Sequence, residues 1–465
     1  MAAPRRTDLL LDSVTRLLRV GASANLLNLL QKQHPTDVAE IFRQLPEHYR
    51  RMAFDTLADR NPRLAMQALA ELEPDRGAAL LVLRPAEDVA RLLRELPLDD
   101  IAALLEWLPD EVSARARELI RGSEHAAVGD LMQHAEWTAG RIMNPRVFAL
   151  DEDRSAGEAV TELQRAGGVE MVFYLYVVDA RRHPVGVVSL RRLLLVPPDT
   201  PLKRIMSTDV VSVSVDTDQE EVARLVAKYN LLAIPVVDEE HKLVGTVTVD
   251  DVIDVIKDET TEDIQKIGGL EALDEPYTDT PFATLVKKRA RWLVVLFVGE
   301  MLTATAMGYF EREIAKAAVL AIFVPLVISS GGNSGSQAAS LMIRALAVGE
   351  VTVRDWWRVM RREALSGLVL GAILGVVGFI RITTWATIFG AYGEHALLVA
   401  LTVAGSLLGV VLWGTLAGSM LPFALKRAGV DPATSSAPFV ATLVDVTGLI
   451  IYFSVAALVL KGTLL

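Results

Sequence analysis

The pattern of hydrophobic and polar positions divides the chain into two unlike parts. Five long apolar segments follow residue 290, near residues 292–310, 317–343, 364–389, 396–421 and 438–460. A helix of about 20 apolar residues, rising about 1.5 Å per residue, crosses the roughly 30 Å hydrocarbon core of a bilayer. The pattern therefore predicts an α-helical transmembrane domain with five spans over residues 291–465.

The region before residue 129 consists of short phrases separated by prolines. Prolines recur at positions 62, 74, 85, 97 and 109, at spacings of 12, 11, 12 and 12 residues. Each phrase, such as "LLRELPLDD", predicts one short amphipathic helix that a proline stops. Helices repeated at this spacing are expected to stack into a small superhelix. Residues 1–128 are predicted to form an all-α module for protein contact or sensing, since they contain no nucleophile–base pairing and no HExxH motif.

Two related units follow this helical region. The segment "VFYLYVVDARRHPVGVVSLRRLL" (172–194) matches "NLLAIPVVDEEHKLVGTVTVDDVI" (230–253) as strand, turn, strand and helix, and an "IM" dipeptide opens each unit. This internal repeat of about 62 residues resembles a tandem pair of CBS domains. The resemblance implies an α/β pair of βαββα units over residues 129–260, a fold that often holds an adenine nucleotide in its cleft.

The CBS resemblance also implies a nucleotide site. In that family, Thr-x-x-Asp after the last strand places a carboxylate on the ribose hydroxyls, and Thr248 and Asp251 match this pattern in the second repeat. The first repeat has Ser189 and Arg192 instead and lacks the acid, so at most one good ATP site is expected. Tyr174 either stacks on the adenine ring or is a buried strand aromatic.

Charge is distributed unevenly along the chain. Residues 1–286 carry 49 acidic and 32 basic residues, a net charge of −17, and residues 287–465 carry 9 and 15, a net charge of +6, which together make the total of −11. Acids crowd one predicted helix and its continuation at Asp250, Asp251, Asp254, Asp258, Glu259, Glu262 and Asp263. Acids four residues apart on a helix repel each other. The cluster is either a solvated face or a surface that cations close; with no cysteine in the chain, its oxygen ligands suit Mg²⁺ or Ca²⁺.

The fifth apolar segment contains one charged residue, Asp445, near its middle. A carboxylate at that depth costs about 2.5 kcal/mol or more. Spans two, four and five contain no basic residue to pair with it, so it is either a structural carboxylate bonded to Thr442 or a neighbouring amide, or a cation site in a pore. Glu300 in the first span is a second intramembrane acid, which either snorkels or lines a vestibule.

The second span, "FVPLVISSGGNSGSQAASLMIRAL", contains small and amide residues at membrane depth. Gly331 and Gly335 form a small-xxx-small pattern that favours close helix packing. Alternatively, the helix is locally broken at this point and its carbonyls, with Asn333 and Gln337, line a polar cavity. Polar groups on both the second and the fifth span favour a shared aqueous pathway.

Charges between the spans predict their orientation. Eleven basic residues flank the spans on the side of the N-terminal region, against four on the other side. By the positive-inside rule, the N-terminal region lies in the cytoplasm and the C-terminus outside. Five spans cannot form two equal halves by internal repetition, so a complete pathway is expected to need a second subunit.

Taken together, these features resemble the MgtE family of magnesium channels and transporters. The motifs that carry the resemblance are "PLVISSGGNSGSQAASLMIRALA" in the second span and "DPATSSAPFVATLVDVTGLIIY" leading into the fifth. The resemblance implies a non-enzymatic homodimer in the cell (inner) membrane, with no nucleic-acid partner, whose second and fifth spans line a pore for Mg²⁺. It also implies that cytosolic Mg²⁺ closes the pore and that ATP on the CBS pair tunes this response.

The resemblance assigns roles to individual residues. Asp445 is the ion-selecting pore residue, and the pore lining is expected to include Gly331, Gly332, Asn333, Gln337 and Thr442. The regulatory Mg²⁺ ligands are expected at Asp251, Asp254, Glu259, Glu262, Asp263 and Asp431, with Glu95 and Asp99 as candidates in the N domain. Residues 261–290 are expected to form a connecting (plug) helix. Ala437 stands where some relatives have asparagine, which puts a polar gate contact there in doubt.

Two other functions are considered from the sequence. One is a nucleotide or metal sensor whose spans serve only as an anchor, but an anchor requires neither Asn333 nor Asp445. The other keeps transport and changes the ion to Co²⁺, Mn²⁺ or Ni²⁺.

Overall fold

The computed structural model describes residues 6–120, 122–166, 174–273, 277–278, 280–316, 318–461 and 463. The chain divides into two compact units, Met1–Ile256 and Lys257–Leu465. The first unit contains a helical N domain and a pair of small α/β repeats, and the second contains the long apolar helices.

Among the described residues, ten short helices form the N domain. They are α1 (Arg6–Val20), α2 (Ser23–Leu30), α3 (Pro35–Gln44), α4 (Glu47–Ala58), α5 (Pro62–Ala70), α6 (Pro74–Leu81), α7 (Ala86–Leu93), α8 (Leu98–Trp107), α9 (Asp110–Leu119) and α10 (Gly122–Leu131). The recurring prolines all lie at helix starts: Pro62 and Pro74 in the first turn, and Pro85, Pro97 and Pro109 at the N-cap. Proline is tolerated there because the first amide groups of a helix have no intrahelical acceptor. The predicted helix for each proline period is confirmed.

Helices of the N domain pack in alternation. Helix α6 packs against α8, α7 against α9, and α8 against α10. This stacking of each helix on the next but one is typical of repeat architectures. The apolar core formed in this way continues into the second α/β repeat, where Val222 and Val247 are fully buried in the same cluster.

The two α/β repeats have the expected βαββα order. Their elements are α11 (Ala139–Ile142), β1 (Ala149–Asp151), α12 (Ala156–Arg165), β2 (Tyr174–Val178), β3 (Pro184–Ser189) and α13 (Leu190–Leu195), then β4 (Val213–Ser214), α14 (Gln219–Tyr229), β5 (Ala233–Val237), β6 (Leu243–Thr248) and α15 (Val249–Ile267). Each sheet has three strands, in the orders β1-β2-β3 and β4-β5-β6, with the first pair parallel and the second antiparallel. Residues 172 and 173, predicted to begin the strand before Tyr174, lie outside the described residues.

The repeats exchange their opening segments. The Asn144 amide donates to the Thr246 carbonyl at 2.8 Å, and the Ser207 amide donates to the Val187 carbonyl at 2.9 Å. Met143 of the first opening covers Gly245 of the second repeat, where a Cβ atom would collide with its side chain. Each repeat therefore completes the other, and the pair folds as one unit.

Helix α15 ends earlier than the predicted connecting helix. It stops at Ile267, before Gly268 and Gly269, and Gly269 has φ +73°, a conformation that glycine adopts at helix ends without steric cost. Pro281 then caps α16, which begins at Phe282. The predicted helix over 261–290 is therefore two helices separated by a non-helical segment in the described residues 268–273, 277–278 and 280–281.

In the part of the chain that the structure describes, five helical spans follow, as the sequence predicts. The second unit contains α16 (Phe282–Tyr309), α17 (Glu311–Lys316), α18 (Ala318–Ala321), α19 (Val324–Ala347), α20 (Trp356–Phe389), α21 (Ala396–Arg427) and α22 (Ala437–Leu460). Helices α18 and α19 together form the second span. Helix α19 packs on both α21 and α22, and α16 packs on α22. This arrangement places the two motif-bearing helices, α19 and α22, side by side.

Candidate functional site

Asp445 lies in a cleft formed by three apolar helices. The cleft has a volume of about 430 Å³. Its lining residues come from α16, α19 and α22: Glu300, Thr303, Met307, Val324, Pro325, Ile328, Ser329, Gly332, Asn333, Ser336, Ala441, Asp445 and Leu449. Polar side chains from the second span and the only charged residue of α22 therefore share one cavity, as the sequence predicts.

Helix α19 is continuous through its small-residue stretch. Pro325 lies in its first turn, where a missing amide donor leaves the helix intact. The alternative of a locally broken helix is therefore not what the structure shows. Close helix packing and the lining of a polar cavity instead occupy two faces of one helix, because consecutive residues point about 100° apart.

One face of α19 packs closely against α21. Gly331 and Gly335 lie so near Gly414 and Gly418 that a Cβ atom at either α21 glycine would collide with a backbone carbonyl of α19. This is the close packing that the small-xxx-small pattern predicts. Gly331, expected in the pore lining, thus lies on the packing face.

The other face of α19 is turned to the cleft. A Cβ atom at Gly332 would lie 3.8 Å from Asp445 Oδ1, so the missing side chain leaves the carboxylate accessible. Asn333 is exposed and lines the same cleft. Ser336, one turn beyond Gly332, also lines it and donates to the Ala437 carbonyl at 3.0 Å. Ala437 therefore contributes its backbone carbonyl in place of a polar side chain.

Two further predicted pore residues lie outside this cleft. Gln337 is exposed but is not among the lining residues. The Thr442 hydroxyl donates to the Pro438 carbonyl at 3.1 Å, and its methyl group faces Gly299 of α16. Thr442 is thus not the partner of Asp445, and the described residues supply no hydrogen bond or ion pair to the Asp445 carboxylate. This carboxylate is available to a ligand in the cleft.

A second group of charged residues lies where α15 meets the loop before α22. Lys266 Nζ is 2.5 Å from Glu262 Oε1 and 2.6 Å from Asp431 Oδ2. Asp431 also caps the short turn after it by accepting the Ala433 amide at 2.8 Å. Burial alone lowers the pKa of Lys266, but its hydrogen bonds to Asp431 and Glu262 outweigh burial and raise this pKa above its ordinary value. The ion pair therefore ties α15 to the loop that leads into α22.

Asp263 is adjacent to this ion pair and lacks a comparable cation. Burial, followed by the charge of Asp431, raises the pKa of the Asp263 carboxyl above its ordinary value. Glu259 and Glu262 raise it further, and Lys266 opposes them. The acids around Asp263 thus carry more negative charge than Lys266 neutralises, and a bound divalent cation would reduce their mutual repulsion.

The other predicted regulatory acids are dispersed. Asp254 is exposed on α15, Glu95 is exposed after α7, and Asp99 lies in the first turn of α8, where a helix N-terminus favours a carboxylate. In the part of the chain that the structure describes, no three acidic or histidine side chains converge on a point that could hold a metal ion. A complete regulatory metal site is therefore not preformed within these residues.

The Thr-x-x-Asp motif caps helix α15. The Thr248 hydroxyl donates to Asp251 Oδ2 at 2.8 Å, and the Thr248 amide donates to the same oxygen at 3.4 Å. In the first repeat, Ser189 caps α13 by accepting the Arg192 amide. Tyr174 lies opposite Ser189 in the first sheet, whereas Thr248 lies opposite Ala233 in the second. The motif therefore has a structural role, and Tyr174 belongs to the other repeat.

Family models cover most of the chain. The MgtE intracellular N domain matches residues 33–136, the CBS domain matches residues 139–199 and 202–258, and MgtE, described as a divalent cation transporter, matches residues 324–455. The last match contains both α19 and α22, the helices that form most of the Asp445 cleft.

Two known magnesium transporters are similar to this chain along most of their length. The chain is 42% identical over 349 residues to the magnesium transporter MgtE of Thermus thermophilus, covering 75% of this chain and 76% of that protein. It is 35% identical over 339 residues to the magnesium transporter MgtE of Bacillus subtilis, covering 72% of this chain and 73% of that protein.

A solved structure supports the same assignment for the first unit. It is the cytosolic domain of the Mg²⁺ channel MgtE in complex with ATP, 36% identical to this chain, with a TM-score of 0.50, covering 53% of this chain and 99% of that chain. The resemblance inferred from the two membrane motifs is confirmed, and the alternative of a sensor with a simple anchor is excluded. The chain therefore belongs to the MgtE family of magnesium transporters, multi-pass membrane proteins with an intracellular N domain and a CBS pair, which are not enzymes.

Proposed function

We propose that this chain forms a homodimeric, Mg²⁺-selective channel of the cell (inner) membrane, with its N-terminus in the cytoplasm and its C-terminus outside. The observation that carries the proposal is the Asp445 carboxylate, which faces a cleft shared with Asn333 and has no protein partner among the described residues. A half-buried acid without a cationic neighbour at membrane depth is stable only if it faces water or a cation.

The chemistry of the cleft suits a hydrated Mg²⁺ ion. Mg²⁺ releases its waters reluctantly and usually keeps several of them when it binds to proteins. Carboxylate, amide and hydroxyl groups at Asp445, Asn333 and Ser336 accept or donate hydrogen bonds to such a water shell. A second copy of the chain adds a second Asp445, and two carboxylates hold a hydrated divalent ion between them.

The first span supports a dimer. Helix α16 has no buried residue within the single chain, although it carries a membrane-length apolar stretch. A helix with no buried residue has free surface for lipid or for a second subunit.

Closure by cytosolic Mg²⁺ is the second part of the proposal. Asp431 lies six residues before the start of α22 at Ala437, and its ion pair with Lys266 connects it to the acids of α15. Asp263 lies near this ion pair, and Lys266 does not fully neutralise the acids around it. A divalent ion at these carboxylates would stabilise whichever pore state brings them together, because a ligand that binds one state shifts the equilibrium toward it.

This part of the proposal is tested by replacing Glu259, Glu262 and Asp263 together with alanine. We expect the triple variant to keep conducting at millimolar Mg²⁺ concentrations that close the wild-type protein, because the ligands of the closing ion are lost. Mg²⁺-dependent flux into proteoliposomes and protease nicking near residues 268–273 report closure, and the nicking should no longer slow as Mg²⁺ rises.

The control is a triple variant with the same change of charge at exposed acids elsewhere, Asp209, Glu239 and Glu240, all replaced by alanine. It should close like the wild-type protein. If the α15 variant also closes at the wild-type Mg²⁺ concentration, the acidic helix is a solvated face and gating lies elsewhere.

ATP is proposed as a modulator that binds the CBS pair at Thr248 and Asp251. We expect Asp251→Ala to weaken ATP binding about tenfold, or about 1.4 kcal/mol, because the ribose hydroxyls lose their charged acceptor. Arg192→Ala should have little effect, since the first repeat lacks the acid. Calorimetry on the full-length protein at a fixed low Mg²⁺ concentration measures both variants.

A separate variant distinguishes ribose binding from helix capping. Asp251→Asn keeps an oxygen that can accept the Thr248 amide but removes the charge. It should retain wild-type thermal stability, and its affinity for ATP should be as low as that of Asp251→Ala. Equal losses of affinity in Asp251→Ala and Arg192→Ala would contradict a single site.

A further inference from the structure

Glu300 is a second acidic residue in the cleft that contains Asp445. It is exposed on α16, whereas Asp445 is half-buried on α22, and both line the same cavity of about 430 Å³. No basic residue is among the lining residues. The described cleft therefore holds two carboxylates and no protein cation.

Contacts between α16 and α22 place these two acids at the same depth. Trp292 Nε1 donates to Ser436 Oγ at 3.2 Å, and the ring of Phe310 stacks on that of Phe453 with centroids 4.9 Å apart. The numbers within these pairs differ by 144 (436 − 292) and 143 (453 − 310), so the two helices run in parallel with a constant register. Glu300 is then level with residues 443 and 444, within about 3 Å of Asp445 along the helix axis, at about 1.5 Å per residue.

Other polar side chains line the cleft around Glu300. Thr303, one turn beyond Glu300, lines the cleft, and its buried hydroxyl has no hydrogen-bond partner among the described residues. The neighbouring Thr305, by contrast, donates to the Met301 carbonyl at 3.2 Å. A charged side chain eight residues beyond Trp292 is costly in lipid, so its presence here requires water or a cation.

We infer that Glu300 is a second cation-binding carboxylate of the permeation pathway, acting on the hydrated Mg²⁺ ion together with Asp445. This inference rests on the proposed pore at Asp445 and deepens it. Each subunit contributes a pair of acids at one depth from two different helices. Two carboxylates per subunit attract a hydrated divalent ion more strongly than one, and because the attraction scales with the charge of the cation they favour divalent over monovalent cations.

The first test compares Mg²⁺ flux into liposomes that contain the full-length protein. Glu300→Gln, which keeps the shape but not the charge, should raise the half-saturating Mg²⁺ concentration about fivefold, or about 1 kcal/mol. Glu300→Asp should stay within about twofold of the wild-type value, on the order of 0.4 kcal/mol. Glu350→Gln removes an exposed acid outside the cleft and should leave the half-saturating concentration unchanged.

The second test uses the absence of cysteine in the natural chain. A single Glu300→Cys substitution is expected to react with a positively charged, water-soluble thiol reagent, to lose flux as it reacts, and to react more slowly when Mg²⁺ is present. The matched control is Val298→Cys on the same helix, which is exposed but does not line the cleft and should be unreactive in the bilayer.

The outcomes separate this inference from the proposed pore. If Asp445→Asn conducts like the wild-type protein, the proposed pore is wrong, whatever Glu300 does. If Asp445→Asn loses flux, but Glu300→Gln keeps the wild-type half-saturation or Glu300→Cys reacts no faster than Val298→Cys, the pore stands and the role of Glu300 is overturned. If Glu300→Gln does not fold, the cysteine reactivity and its protection by Mg²⁺ decide the question.

Discussion

Replacing Asp445 by alanine is expected to lower Mg²⁺ flux through the full-length protein on the order of 100-fold, equivalent to about 2.7 kcal/mol. The carboxylate faces the cleft between α16, α19 and α22 without a protein partner among the described residues, so its loss removes the charge that holds the ion. Folding should be little affected, because no described contact of the side chain is lost. Flux into proteoliposomes and size-exclusion chromatography in detergent measure the two effects.

A serine on the same helix supplies the control for this prediction. Ser454 bonds to the Ile450 carbonyl at 2.7 Å and does not line the cleft, so Ser454→Ala should conduct normally. Asp445→Asn separates charge from shape and should lose flux like the alanine variant. Wild-type flux and ion preference in Asp445→Ala would make Asp445 a structural carboxylate. Competition by Co²⁺, Mn²⁺ and Ni²⁺ in the same assay tests which divalent ion the site prefers.

A methyl group at Gly418 is expected to disrupt the packing that shapes the cleft. The Cβ atom of Gly418→Ala would collide with the backbone carbonyl of Gly335, and a backbone group cannot turn aside as a side chain can. The two helices must separate, and overpacking of this kind costs about 1–3 kcal/mol. We expect a lower melting temperature and less monodisperse protein in detergent, together with lower flux, because α19 carries Gly332 and Asn333 on its opposite face.

Gly405→Ala on the same helix is the matched control. Its Cβ atom would meet only the Val455 side chain at 3.5 Å, an ordinary van der Waals contact. This variant should keep the wild-type melting temperature and flux. If Gly418→Ala is as stable as Gly405→Ala, the close approach of α19 and α21 is not needed for the fold.

The charged link at Lys266 shows a relation that local patterns do not reveal. Its partner Asp431 is 165 residues away in the sequence, and the ion pair joins α15 to the loop before α22. Glu262 and Asp431 are both predicted as regulatory ligands, but the sequence does not predict that Lys266 lies between them. This lysine already supplies part of the positive charge that a closing cation would bring.

Features that depend on short stretches of sequence were predicted well. The five spans follow from the length and apolarity of each segment, and the N-domain helices follow from prolines, which are tolerated at helix starts and disfavoured in helix interiors. The βαββα order follows from a repeat in which strand, turn and helix signals recur. Asp445 stands out because a lone carboxylate in an apolar helix carries a cost that requires a function.

Tertiary structure decided how those elements share their surfaces. The sequence of α19 allows either close packing or a polar cavity. The structure shows both: Gly331 and Gly335 pack against α21, whereas Gly332 and Asn333 line the cavity. Both are possible because neighbouring residues on a helix face different partners. The predicted connecting helix ends at Ile267, where two glycines follow. The sequence alone identifies Glu300 as an intramembrane acid, but only the register of α16 against α22 places it beside Asp445. A residue's depth and type are local properties, whereas its neighbours depend on which helices pack together, and packing joins residues that are far apart in the chain.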